Sequence, residues 1–232
     1  MKKTCFFLIL LIAIGCKSKK DFTVNNLTIE EENSATISKD SISNHKIKTV
    51  LLHKKEDDLS LPIINLNSDE KLKLSFDDLN NELKKFYITI EHYNSNWEKS
   101  NLIKSEYING FFKDEIINYE YSFNTLQDYI HYQYFFPSEN LKPLISGNYT
   151  LKVFDNYGDT LIAKKFMILE NQVNIKLNIK KATLSSDRKT KHEIDFIINH
   201  PNLSISDPFS QINVVIKQNN KDDNAINDLK PI

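Results

Sequence analysis

Beyond residue 16 the chain has no cysteine. That excludes disulfides, thiolate metal sites and cysteine nucleophiles from everything that follows. Glycine is nearly as scarce, at four in 232 residues, and none of the four forms a G-x-S-x-G elbow or a phosphate-cradling loop. There is no H-E-x-x-H, and His45, His53, His92, His131, His192 and His200 never fall at a compact metal-ligand spacing. His192 and His200 would share one face of a strand, but about 27 Å apart at strand rise, too far to hold one ion. Charge of one sign is missing as well: 30 Lys+Arg stand against 31 Asp+Glu, without the basic excess that binds nucleic acid. Asp77, Asp78 and Glu91 are carboxylates with no recognisable partner pattern for paired acid–base work. The expectation is a protein with no catalytic residues, no metal, no cofactor and no small-molecule substrate.

Long apolar runs are also lacking, with one exception. Phe6 to Ile14 is continuously apolar but falls well short of the roughly 20 residues of a spanning helix. It follows Lys2 and Lys3 and ends in Ala13-Ile14-Gly15-Cys16, which reads as an export signal closing on a lipobox. Residues 1–16 are therefore expected to be a lipoprotein signal peptide, with Cys16 as the acylated residue. Several acyl chains on one residue give the stable membrane anchoring that a single chain cannot. Ordinary signal cleavage next to an incidental cysteine is the other reading. Residues 17–45 are polar, lack hydrophobic periodicity and are expected to form a flexible tether.

What is present in quantity is two-residue periodicity. Leu72, Leu74 and Phe76 alternate with polar residues, as do Phe86, Ile88 and Ile90, and Ile130, Tyr132, Tyr134 and Phe136. Tyr149 to Leu169 reads as a hairpin turning between Asp155 and Asp159. No helical period is convincing, although residues 76–85 could hold one turn. The pattern predicts an all-β fold: an antiparallel immunoglobulin-like β-sandwich over residues 46–170. A second strand set follows, in Val173 to Ile179, His192 to Ile198 and Ile212 to Ile216. Three strands are a marginal basis for independent stability, so residues 171–232 are expected to be the start of a second, incomplete β-domain. It would be completed by further chain or against another molecule.

Glu98 to Asp128 is long for a sandwich connection and rich in rings: Tyr107, Phe111, Phe112, Tyr119, Tyr121 and Phe123. These rings either cap one end of the core or form an exposed surface that recognises a partner. Just before them, "FYITIEHYNSNWEKSNL" holds the single tryptophan. His92 continues the core face of its strand. Trp97 is expected to lid the sandwich end, its indole N–H reaching a turn carbonyl.

Taken in order, "IKTVLLH", "LPIINLNSDEKLKLSFDDL", "FYITIEHYNSNWEKSNL", "EYINGFF", "YSFNTLQDYIHYQYFFP" and "SGNYTLKVF" resemble the N-terminal domain of the type IX secretion system plug proteins of Bacteroidota. The resemblance covers about residues 47–169, with a weaker continuation beyond. It departs at Tyr93, where the family has a cysteine, and at Lys221-Asp222, where it has a basic–aromatic pair. It implies a non-enzymatic subunit on the periplasmic face of the outer membrane, bound to the translocon barrel and sealing its pore at rest. Cys16 would then add a lipid anchor, and "CKSKKD" lacks the acidic run associated with surface display. Trp97, Tyr107, Phe111, Phe112 and Tyr119 are the expected partner contacts, on the loop argument alone. A carbohydrate-binding lipoprotein, which needs coplanar exposed rings, and a structural envelope adaptor are the alternatives.

Overall fold

The computed structural model describes residues 40–80, 82–221 and 223–231. The signal peptide, Cys16 and most of the expected tether lie outside the described residues. In chain order the elements are β1 (Ser41–Ile42), β2 (Ile47–Lys54), β3 (Ile63–Asn65), β4 (Leu72–Asp78) and β5 (Tyr87–Tyr93). A single helical turn, α1 (Lys104–Tyr107), precedes β6 (Ile108–Gly110), β7 (Asp114–Glu115) and β8 (Asn118–Tyr121). Then come β9 (Ile130–Phe136), β10 (Leu141–Pro143), β11 (Gly147–Phe154) and β12 (Thr160–Leu169). The rest comprises β13 (Asn174–Lys181), β14 (His192–Asn199), α2 (Pro208–Gln211), β15 (Val214–Ile216) and β16 (Ile226–Leu229).

Two sheets form an open sandwich, as the alternation predicts. One has the order β1-β12-β11-β5-β7, with β3 added to β12 as a parallel neighbour; the other has the order β2-β4-β9-β8. Apart from β3, every strand pair is antiparallel. The inner faces bury Leu72, Leu74 and Phe76 of β4, Ile88 and Ile90 of β5, Ile130, Tyr132 and Phe136 of β9, and Tyr149, Leu151 and Val153 of β11. At the centre, Phe76 stacks on Tyr132 at 5.2 Å while Phe86 meets both rings edge-on. Such pairs stabilise beyond the area they bury.

Two expectations need correcting here. Asp40 to His45, placed in the tether, belongs to the fold: β1 pairs with Ala163 and Ile162, and Asp40 binds the Lys164 ammonium at 2.9 Å. The described residues between 76 and 85 form no helical turn. The Tyr132 hydroxyl instead engages the backbone of Lys84, accepting from its N–H and donating to its C=O, at 3.1 Å each.

Beyond β12 the strands pair only as two-stranded ribbons, β13 with β14 and β15 with β16. Their register puts Ile175, Leu177 and Ile179 on the same face as Ile198, Phe196 and Ile194. None of these six belongs to the sandwich core.

Candidate docking surface

The segment expected to be a long loop is a ribbon laid along one side of the sandwich. Its parts are too short to persist alone, so its strands are each fixed by a distant partner and its helical turn by a local bond. The turn α1 is closed by Glu106, whose carboxylate accepts from the Ile103 N–H at 2.8 Å. β6 pairs with β10, β7 with β5, and β8 with β9. Between β7 at the rim of one sheet and β8 at the rim of the other, Ile116 is buried at 3% exposure and donates its N–H to the Phe86 carbonyl at 2.9 Å. Ile116 therefore closes the lateral opening of the sandwich.

Asp114 fixes the ribbon at this point. Its carboxylate accepts from the Ser138 hydroxyl at 2.7 Å, the Tyr134 hydroxyl at 2.9 Å and the Asn140 amide at 3.0 Å. Burial works against its charge, but these bonds outweigh burial and hold the carboxyl below its ordinary range. Burial pushes the Tyr134 hydroxyl well up, so it stays a donor.

The ribbon leaves a row of apolar side chains in solvent. Tyr119 and Tyr121 share one face of β8 at 41% and 61% exposure, and Ile117 and Phe123, next in the same two-residue period, are 72% and 92% exposed. Tyr119 lies 6.1 Å from Tyr132, on the core-facing side of its sheet. The opposing sheet ends on this side at the two residues of β7. An inner sheet face is thus left uncovered. Phe111 and Phe112, just before β7, are exposed as well. Contiguous exposed apolar surface of this kind marks interaction sites.

The expected contact residues divide. Phe111, Phe112 and Tyr119 are all exposed, but only Tyr119 stands on the uncovered inner face; the Phe112 carbonyl accepts from the Thr89 hydroxyl at 2.6 Å, on the outer face of the β5 sheet. Tyr107 does not: it is buried at 4% exposure, with its ring packed between His92 and Tyr149. It is a core residue. Trp97 is half-buried in the turn after β5 with φ +61°, and its ring lies under the Lys165 ammonium at 4.1 Å and against Tyr93. It makes a cation–π contact rather than the expected bond to a turn carbonyl. Cys16 lies outside the described residues. His92 sits at the core's edge as expected, but its Nδ1 is buried without a hydrogen-bond partner. Burial pushes its imidazole pKa down.

Ile117, Tyr121 and Phe123 are exposed as well and were not among the expected contacts, although with Tyr119 they form an unbroken two-residue period in sequence. Tyr119 and Tyr121 meet at 90°, so this pair is not the coplanar platform a sugar-binding surface requires. Among the described residues no group of His, Cys, Asp and Glu could hold a metal, and no helix is long and apolar enough to cross a membrane.

The family model described as the Type 9 secretion system plug protein 1st domain matches residues 47–170. No curated protein matches the chain. Among solved structures, a hypothetical protein from Parabacteroides merdae ATCC 43184, with a crystal structure at 2.30 Å, is similar at TM-score 0.78 and 26% identity. The match covers 83% of this chain and 49% of that one, so this chain spans about half its length. The DNA-bound alkylpurine DNA glycosylase AlkC of Pseudomonas fluorescens matches at TM-score 0.29 and 12% identity, covering 54% of this chain and 30% of its own, too weak to carry an argument.

Proposed function

Because the chain belongs to the Type 9 secretion system plug protein family through residues 47–170, we propose that it is a non-enzymatic subunit that binds the outer-membrane translocon barrel and seals its pore at rest. The family points to a secretion-related, envelope-associated role; the barrel contact and the seal are this reading's own. The observation that carries it is the uncovered ring pair Tyr119 and Tyr121 on β8, with exposed Ile117 and Phe123 on either side in sequence and exposed Phe111 and Phe112 a few residues before. Covering a wide aqueous channel needs a stiff body with a ring-rich contact, and the cross-braced sheets around the Phe76–Phe86–Tyr132 cluster supply the stiffness. Rigid rings add contact area at low entropic cost.

In the same reading, residues 1–16 direct export and Cys16 carries the lipid that keeps the protein at the periplasmic face of the outer membrane. Anchoring raises the local concentration of the plug at its target, making binding partly intramolecular. Residues 40–170 form the plugging domain, and residues 171–232 carry the two further ribbons.

The test is affinity purification of the tagged full-length protein from native outer membranes in mild detergent. The barrel is expected to co-purify, and to be lost when Phe111 and Phe112 are both changed to Ser in a protein whose circular dichroism is unaltered. Absence of the barrel from the unmodified sample sinks the reading.

A further inference from the structure

Sheet edges invite pairing with other chains, and folded proteins usually defend them with bulges, lysines, prolines or short strands. Most edges of this sandwich are defended. β2 carries Lys48 and Lys54 and is broken by a register shift between Lys48 and Leu51, with Thr49 at φ +51°. In the other sheet, β1 and β7 are two residues long and β3 is three. β8 is different. Its sequence Asn-Tyr-Glu-Tyr has no lysine, no proline and no bulge, and all four residues are exposed.

The direction of its free hydrogen-bonding groups follows from the ladder. The Ser122 N–H donates to the Tyr129 carbonyl at 2.9 Å, and the register pairs Tyr121 with Ile130 and Glu120 with His131. Bonding alternates along an antiparallel strand, so Asn118 and Glu120 point their backbone groups at β9. Tyr119 and Tyr121 turn their N–H and C=O groups outward.

The two faces flanking this edge differ in chemistry. On the inner side stand Tyr119 and Tyr121 with no sheet opposite, followed in the same two-residue period by the exposed Ile117 and Phe123. On the outer side, Glu120 has no cationic partner among the described residues, and the histidine across from it, His131, is engaged by Asp77 at 2.6 Å.

We propose that β8 is a docking edge for an extended segment of a protein partner, which adds as a fifth strand, lays alternate apolar side chains over Ile117, Tyr119, Tyr121 and Phe123, and turns a basic residue toward Glu120. The assignment rests on reading this side of the sandwich as the contact surface. In strand addition, main-chain bonds to Tyr119 and Tyr121 supply affinity and the alternate side chains supply selectivity. The uncovered rings set the apolar half of the pattern, and the unpaired carboxylate sets the basic half.

The test measures amide hydrogen exchange of the full chain with three synthetic octapeptides: alternating valine–lysine, alternating valine–glutamate, and a scramble of the first. The valine–lysine peptide is expected to slow exchange at the Tyr119 and Tyr121 amides by at least about tenfold, with the other two leaving them unchanged. Tyr121→Pro removes an outward N–H without touching the β9 ladder and is expected to abolish the protection, whereas Tyr121→Phe keeps it. Unchanged exchange at both amides with the valine–lysine peptide overturns the assignment, as does equal protection by all three peptides. A dimer of the full chain that Tyr121→Pro dissociates would make the occupant a second copy, and also overturns it. The peptides contain no barrel, so failed barrel co-purification sinks the secretion reading and leaves the edge to be judged on the exchange data alone.

Discussion

At the scale of single residues, Asp114 does the most to hold the candidate surface in place. Tyr134 and Ser138 converge on one carboxylate oxygen and Asn140 on the other. The folded pKa lies below the unfolded one, so this contribution to stability is complete above the ordinary carboxylate range, near pH 4, and is lost as pH falls through the lowered value. Glu91 behaves alike: burial opposes its charge, and Lys152 at 2.7 Å with Lys99 outweighs burial. Denaturant melts between about pH 3 and 7 should show stability falling on the acid side, with a shallower fall in Asp114→Asn, which takes up no proton there. Equal slopes in the two proteins would mean that Asp114 is no better stabilised as an anion in the fold than in the unfolded chain. Nothing near Asp114 in sequence names its three partners, which arrive 20 to 26 residues later.

At the scale of elements, strands that carry their own two-residue pattern were legible and those that borrow stability were not. β4, β9 and the β11–β12 hairpin bury the residues their alternation assigns to the core. β6, β7 and β8 have two to four residues each, below the length at which a pattern emerges, and exist because β10, β5 and β9 receive them. Tyr107 was misplaced for this reason: it ends a one-turn helix whose packing is decided by Tyr149, far along the chain. Gly110 is the hinge of the ribbon. It sits at φ +103°, and a Cβ there would collide with the Asn140 carbonyl that accepts the Phe111 N–H at 2.6 Å. Gly110→Ala is therefore expected to cost roughly 1–3 kcal/mol in urea melts and to detach β6 from β10. An unchanged midpoint would show that the ribbon can relax around the new methyl group.

At the scale of the whole molecule, every member of the sandwich core lies between Ile47 and Ile168. A chain of residues 40–170 is therefore expected to unfold in one cooperative transition, with a Tm within about 5 °C of the full chain, since no core contact is lost. A molten or aggregated product would show that the later ribbons support the sandwich. The described chain enters the sandwich through β1, at the opposite rim of its sheet from β7. That entry is shallow: two paired residues, the Ser43 N–H on the Leu161 carbonyl at 3.0 Å, and Asp40 on Lys164. A pull applied ahead of Asp40 meets these bonds one after another, like the teeth of a zip. They part singly under low force, while strands loaded in shear across β12, β11 and β5 resist together. The entry is thus a mechanical fuse: tension from that end frees a few residues of β1 before the strands that carry the core are loaded.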